Sequence, residues 1–367
     1  MYQVGIVGCG VIGERLASTF AEHEATTVTV ACDRDETRVS EFAADHDCEA
    51  VTDHQTLVTH EAVDVVYVGV PPAHHVAVAT DALAAGRHVL CEKPIAPTAD
   101  GGEELVAAAA SATVADGVAD GRTDGAAEAD EVGPASGGDG AAAATGADRR
   151  PVTGVNLPFR YTPGFRELRE RVREGAVGDV CRVDLHFRFP RWPREWQDVS
   201  WLEGREQGGP IREVGTHFLF GVEEIFGSIR RLTAEAQYAG PDRYEQSVVG
   251  SFAVDDLDGD GEVHGTLDLA TDVAASEENS ITVLGTDGSL SLMEWYKLIA
   301  DRGEDDEQVL VDSRASSTLA LVDAFVAELD GEGGDLVSFE EATRVQRAVD
   351  AVFDSGGEPV SLAADAE

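Results

Sequence analysis

The sequence predicts an α/β chain in two parts. A doubly wound parallel sheet is expected over 1–155, and an α+β part with a mostly antiparallel, open sheet over 156–367. Three observations predict this. Apolar, β-branched runs alternate with segments of helical periodicity through the first part. The first of these runs, 2–7, leads into Gly8-Cys9-Gly10-Val11-Ile12-Gly13. The second part strings short strand candidates in series, with 181–189 alternating apolar and polar residues.

The glycine-rich segment follows a strand and opens a helix whose Leu16, Ala17 and Phe20 share a face. In that context Gly8 permits a tight turn and Gly10 lets backbone approach a pyrophosphate. Gly13 lets helix and strand pack closely. The anion would sit at the helix N-terminus, where free N–H groups and the dipole favour it, with Cys9, Val11 and Ile12 completing the loop. Glycines of an ordinary turn are the alternative. The next strand, 27–32, supplies support: Asp33 stands 20 residues after Gly13. An acid there hydrogen-bonds a ribose 2′-hydroxyl and repels a 2′-phosphate, which favours NAD. Arg34 could stack on adenine or hold a 2′-phosphate, which favours NADP.

Val39, Phe42 and Ala43 mark a helix, and 64–70 reads as a strand buried on both faces. That strand ends in Val70-Pro71-Pro72-Ala73-His74-His75, at the carboxyl end where open α/β sheets bind ligands. His75 either touches a cofactor or makes a local bond at the start of the helix that runs through Val78, Ala82 and Leu83 to Gly86. The following strand ends in Cys91-Glu92-Lys93-Pro94. Pro94 has no N–H and keeps Lys93 out of the helical region, so the ammonium is expected at a strand end, facing a crevice. Lys93 and Lys297 are the only lysines among 27 basic residues, which invites a chemical role. A surface pair between Lys93 and Glu92 is the alternative. A helix is expected over 98–112. From 114 to 150 the chain is Ala, Gly, Asp and Glu with almost no large apolar residue, so a disordered or mobile insertion is expected, with a lid as the alternative. A sixth strand follows at 151–156.

In the second part, Phe165, Leu168 and Val172 give a helix face, and further strands are expected at 232–238, 247–254, 263–269 and 281–284. The loop 191–212 holds Trp192, Trp196 and Trp201, three of the four tryptophans. Flat rings there either stack on a sugar face or pack the loop down. Then comes Gly208-Gly209-Pro210-Ile211-Arg212-Glu213-Val214-Gly215-Thr216-His217. Glu213 and His217 stand at i and i+4, on one side of a helix. A carboxylate one turn from an imidazole is expected to orient it and raise its pKa. Helices around 319–329 and 339–353 close the chain and should pack back on the sheet, after a polar stretch beyond Leu292.

The glycine-rich turn, the Pro71-Pro72 loop with His75, and Ala85-Gly86-Arg87-His88-Val89-Leu90-Cys91-Glu92-Lys93-Pro94 resemble the Gfo/Idh/MocA family of sugar and inositol dehydrogenases. Asn156 with Arg160-Tyr161-Thr162-Pro163, and the double glycine before Glu213 and His217, match further family segments. Glu213 stands where the family usually has Asp. The resemblance implies an N-terminal Rossmann domain carrying NAD or NADP and a C-terminal domain that binds substrate and often forms the oligomer interface. It implies catalytic Lys93, His217 and Glu213. Cofactor contacts are expected from the loop Gly8 to Gly13, Asp33, Arg34, Val70, Pro71, Pro72, His75, Glu92 and Lys93, and substrate contacts from Asn156, Arg160 and Trp196. The activity implied is hydride transfer between nicotinamide and a hydroxyl carbon of a sugar, sugar acid or cyclitol. An NAD(P)-binding regulator without turnover and a dihydrodiol dehydrogenase are the alternatives. A homo-oligomer, dimer or tetramer, is expected through the C-terminal sheet.

Composition narrows the setting. The net charge is −43, from 70 acids against 27 bases spread along the chain. Such charge repels nucleic acid and anionic membranes, and it strains the compact state unless salt screens it. A halophilic cytoplasm of the haloarchaeal kind is the expected setting. No apolar run reaches the ~18 residues of a membrane helix, and the start of the chain does not read as a signal peptide. The five cysteines show no paired metal spacing, so no metal is expected and the thiols are expected to be reduced.

Overall fold

The computed structural model describes residues 1–115, 117–119, 149–197, 199–259 and 261–362. Its first sheet joins β1 (Tyr2–Val7), β2 (Thr26–Cys32), β3 (Glu49–Val51), β4 (Val65–Val68), β5 (His88–Glu92) and β6 (Thr153–Asn156). All pairs are parallel, in the order β3-β2-β1-β4-β5-β6. Helices α1 (Val11–Glu22), α2 (Glu36–His46), α3 (His54–Val58), α4 (His75–Ala84) and α5 (Ala99–Ser111) make the crossovers. Val7 pairs with Cys32 and Val68, and Val68 with Cys91. The register therefore sets Gly8, Asp33, Gly69 and Glu92 in a row along one edge of the sheet. This is the doubly wound arrangement expected; the short β3 and α3 were not foreseen, because three and five residues carry too little periodicity.

The second sheet has nine strands, in the order β14-β13-β12-β11-β7-β10-β9-β8-β15. They are β7 (Val180–Phe189), β8 (Arg231–Tyr238), β9 (Glu245–Asp255), β10 (Glu262–Thr271), β11 (Glu278–Gly285), β12 (Ser289–Met293), β13 (Lys297–Ala300), β14 (Gln308–Asp312) and β15 (Val360–Ser361). Only β7 and β10 pair in parallel. In β7 the alternation holds from Val183 to Phe189, whose odd-numbered side chains are buried, while Cys181 is exposed near the strand end. Strands β13 and β14 replace the polar connection expected after Leu292. Helices α6 (Pro163–Arg173), α7 (Thr216–Phe226) and α9 (Phe339–Asp354) cover one face.

Helix α8 (Ser317–Leu329) leaves the second part and packs on α1. Leu321, Val322, Phe325 and Leu329 join Tyr2, Ile6, Leu16, Phe20 and Tyr67 in one core, so the face of the first sheet carrying α1 is closed by a late segment of the chain. The tyrosine Oη of Tyr2 donates to Asp330 at 2.7 Å beside it. The other face of the first sheet shares a continuous core with the second through Val155, Leu157 and Phe159. Two residues of the expected mobile insertion are packed: Val114 and Val118 are buried, and Val114 N–H donates to Arg149 O at 2.8 Å. Those two valines are the apolar residues that the compositional reading discounted. The remainder of the insertion, 120–148, lies outside the described residues. No helix among the described residues is long and apolar enough to cross a membrane.

Candidate active site

The glycine turn has the shape a dinucleotide needs. Gly8 adopts φ +104, and a Cβ there would meet Gly69 O at 2.4 Å. A Cβ on Gly13 would meet Gly8 O at 1.9 Å, so α1 packs as close as backbone allows. A Cβ on Gly10 meets nothing within 4 Å. Gly10 is therefore not required by the protein's own packing; the space over it is open for a ligand at the N-terminus of α1, where no side chain caps the helix. Val11 is exposed on the rim of this space. Asp33 accepts from Cys9 N–H at 3.1 Å and Asp35 N–H at 3.0 Å, which ties the end of β2 to the turn. The cation on Asp33 is Arg38, at 3.3 Å to each carboxylate oxygen, and not its neighbour Arg34, which is exposed. One turn into α2, Arg38 lay too far along the chain for adjacency to reveal it.

The Pro71-Pro72 loop forms a short 3₁₀ turn, Pro72–His74, ahead of α4. His75 is fully buried, with Nδ1 2.8 Å from Pro94 O and Nε2 2.7 Å from Val70 O. Burial lowers its pKa, and the two carbonyls work against that. The imidazole thus joins the Val70 loop to the Lys93-Pro94 turn. This is the local-bond role, and its ring has no face left for a cofactor. Glu92 also turns inward: its carboxylate accepts from Tyr67 Oη at 2.5 Å, from the Asn156 amide, and from Lys93 N–H at 3.2 Å. Burial raises the Glu92 pKa. Glu92 and Asn156, expected at the cofactor and the substrate, instead pin β4, β5 and β6 together beneath the site, because a half-buried carboxylate takes the nearest donors.

Lys93 crosses to the second part. Its Nζ donates to Glu213 Oε2 at 2.5 Å and to Glu213 O at 2.9 Å. Glu213 lies on a π-helical turn, Ile211–Gly215, that feeds directly into α7. Its second oxygen accepts from Gln197 Nε2 at 3.3 Å. The carboxylate that was expected to orient His217 is therefore spent on the ammonium, a stronger partner than a neutral imidazole. His217 is buried, and its Nδ1 has no partner among the described residues. Its pKa falls well below the usual value, by burial first and then by the Lys93 and Arg194 charges. This is the reverse of the expected direction. Trp295 packs on the imidazole edge-to-face, with ring centroids 4.3 Å apart, and Phe159 lies beyond. Trp295 has φ +77, and no periodicity pointed to it; it was the one tryptophan outside the aromatic loop.

The π turn is held from below by Glu245 on β9. Its Oε1 accepts from Ile211 N–H at 2.6 Å, and Oε2 has no partner among the described residues. Gly209, at φ +94, must be glycine because a Cβ would lie 2.3 Å from that Oε2. Burial raises the Glu245 pKa to about 7. Its strand gives no sequence signal beyond an acid where an inward residue belongs.

Arg160 does not reach the crevice. Its guanidinium donates to Glu224 and Glu341 at 2.7 Å, Leu336 O at 2.6 Å and Asp335 at 3.2 Å. Buried and surrounded by acceptors, it is a structural hub of the second part and not a substrate ligand. In the aromatic loop, Trp192 is buried and donates Nε1–H to Leu202 O at 3.1 Å, so it packs the loop down. Trp196 is 63% exposed and free to present its ring. Ala73 N–H donates to Gln207 at 3.2 Å, which brings this loop against the Pro71-Pro72 turn.

A parallel six-stranded sheet whose first turn is kept clear of side chains places the chain among dinucleotide-binding α/β proteins. It belongs to the Gfo/Idh/MocA oxidoreductase family: residues 2–119 match the family's NAD-binding Rossmann fold and 165–291 its C-terminal domain, together about two thirds of the chain. Among curated relatives it is 39% identical over 108 residues to a dTDP-3,4-didehydro-2,6-dideoxy-alpha-D-glucose 3-reductase of Streptomyces antibioticus. That match covers 29% of this chain and 33% of the relative, so the chain spans about a third of it. It is 27% identical over 303 residues to human trans-1,2-dihydrobenzene-1,2-diol dehydrogenase, covering 79% and 73%. A Thermotoga maritima oxidoreductase superposes with TM-score 0.76 at 19% identity over 98% of each chain. A levoglucosan dehydrogenase complexed with NADH and L-sorbose does so with TM-score 0.77 at 15% identity over 99% of each. At these identities the two structures speak for the fold.

Proposed function

We propose that the chain is an NAD(P)-dependent oxidoreductase that moves hydride between a hydroxyl carbon of a sugar, sugar acid or cyclitol and nicotinamide. The observation that carries this reading is the Lys93–Glu213 ion pair beside a buried, neutral His217 at the carboxyl edge of the parallel sheet. A bound nicotinamide supplies the hydride acceptor. The protein supplies the rest. Lys93, held by Glu213, donates a hydrogen bond to the reacting oxygen and stabilises alkoxide character as the hydroxyl proton leaves. His217 is the base: its low pKa keeps it unprotonated at neutral pH, so it is available to take that proton. Glu213 acts on Lys93, aiming the ammonium, and its own partner Gln197 fixes the carboxylate.

Asp33, held by two backbone N–H groups, favours NAD over NADP, since a 2′-phosphate would meet its charge. Exposed Trp196 offers a face to the substrate ring. The setting we assign is a salt-rich cytoplasm, with subunits meeting through the outer face of the nine-stranded sheet. The long match to the human dihydrodiol dehydrogenase favours dihydrodiols as the rival substrate class.

The test is reduction of NAD⁺ and NADP⁺ at 340 nm in molar KCl, across polyols, aldoses, sugar acids and a dihydrodiol. Lys93→Ala and His217→Ala should each lose ~10²–10⁴-fold in turnover with cofactor binding kept. Near wild-type turnover in both would refute the assignment. Cofactor binding without turnover on any substrate would favour a regulatory protein.

A further inference from the structure

Arg160 and Arg194, both in the second part, differ in what their terminal N–H groups do. Arg160 has spent its terminal N–H groups on three carboxylates and a carbonyl. Arg194 has not. Its side chain is 12% exposed, and Nε donates to Glu277 at 2.9 Å. Its two terminal nitrogens donate to no described residue. These nitrogens are not among the buried atoms left without a partner, so they face open space, where an anion would meet four N–H groups already held in position.

The side chain is also fixed in place. Its guanidinium carbon lies 5.0 Å from the Phe189 ring centroid, 5.6 Å from Trp192 and 5.9 Å from Trp196. Glu277, which holds Nε, is itself held by the Asn279 amide at 3.2 Å. Arg194 N–H donates to Gln197 Oε1 at 3.2 Å, and the same Gln197 donates to Glu213, the partner of Lys93. One residue therefore connects the loop of Arg194 to the reacting pair. The Arg194 charge acts on His217 as well, which puts the guanidinium within electrostatic reach of the base. A planar fork with unspent parallel N–H groups, beside an exposed indole, matches a carboxylate attached to a ring or chain of hydroxylated carbons.

We infer that Arg194 is the anion receptor of this site and that the substrate carries a carboxylate, which makes it a sugar acid and not a neutral polyol. The inference deepens the oxidoreductase reading and rests on it. Trp196 covers the carbon skeleton, the carboxylate lies on Arg194, and a hydroxyl carbon is left toward Lys93 and His217.

Binding and turnover separate the two claims. The NAD⁺-loaded full chain is titrated by calorimetry with D-gluconate and D-glucuronate, and with D-glucitol and D-glucose as neutral partners, at one fixed KCl concentration. At least one acid should bind more tightly than its neutral partner. Arg194→Gln should weaken that acid by about 10–100-fold and change the neutral partner less than threefold, with NAD⁺ affinity unchanged. Arg194→Lys keeps the charge without the fork and should recover part of the loss, which a mere folding defect of the loop would not do. Equal binding of acid and neutral forms, or an equal loss of both in Arg194→Gln, overturns the inference. A lowered NAD⁺ affinity in Arg194→Gln also overturns it, by assigning the guanidinium to the cofactor. Acid binding that depends on Arg194 without any hydride transfer would sustain the receptor and sink the oxidoreductase reading.

Discussion

Glu245 holds the start of the His217 helix through a carboxyl that burial keeps protonated to about pH 7. Below pH 4.5 the folded and unfolded chains both carry this proton. Between 4.5 and 7 only the folded chain keeps it, so folding stability falls as pH rises through that window and levels off above it. The span corresponds to on the order of 3 kcal/mol. Glu223, raised to about 7 by burial, adds in the same direction. Glu245→Gln should flatten the fall, read by denaturant unfolding of both proteins from pH 4.5 to 8 in constant KCl. Parallel curves would show that the carboxyl does not titrate there. At this scale the sequence located Lys93, Asp33 and the glycines at the turns and strand ends where the structure has them. It was silent on Glu245, Trp295 and Arg38, whose roles come from contacts across the fold. It misled at Arg160, where a residue inside a matching motif serves packing.

The elements repeat that division. Strands β1, β4 and β5 were legible because strands buried on both faces read as unbroken apolar runs. Strands β13 and β14 were not, being short and near the sheet edge, with half their residues facing water. The π turn was invisible, since Glu213 and His217 have the same sequence spacing in either helix type. What sets the partner of Glu213 is Lys93, reaching across from the other sheet. Arg160 is the matching case for an element joint: it fastens the segment after β6 to α7 and α9 through Glu224 and Glu341. Arg160→Met should cost roughly 3–5 kcal/mol, because several carboxylates lose a buried cation. Turnover per folded molecule should stay at the wild-type level. A specific loss of turnover at unchanged stability would return Arg160 to the substrate site.

Across the whole molecule the dominant fact is a charge of −43 on 367 residues. The Debye length shrinks from ~10 Å at 0.1 M salt to ~3 Å at 1 M, so repulsion between neighbouring acids is largely removed by molar KCl. The melting temperature should rise by roughly 10 °C or more between 0.1 M and 3 M KCl, measured by circular dichroism. A flat response would mean that the ion pairs on the structure, such as Arg188–Asp268 and Arg231–Glu262, already offset the repulsion.

Helix α8 gives the fold a timetable. The first sheet is complete once β6 ends at Asn156, yet the helix that closes the α1 face does not begin until Ser317. At ~5–20 residues per second, ribosomes take roughly 8–30 s to make the intervening chain. Through that interval the apolar surface of Leu16, Phe20 and their neighbours has no cover of its own. A nascent chain stalled in the second part should therefore be held by chaperones or aggregate, however well its first six strands have paired.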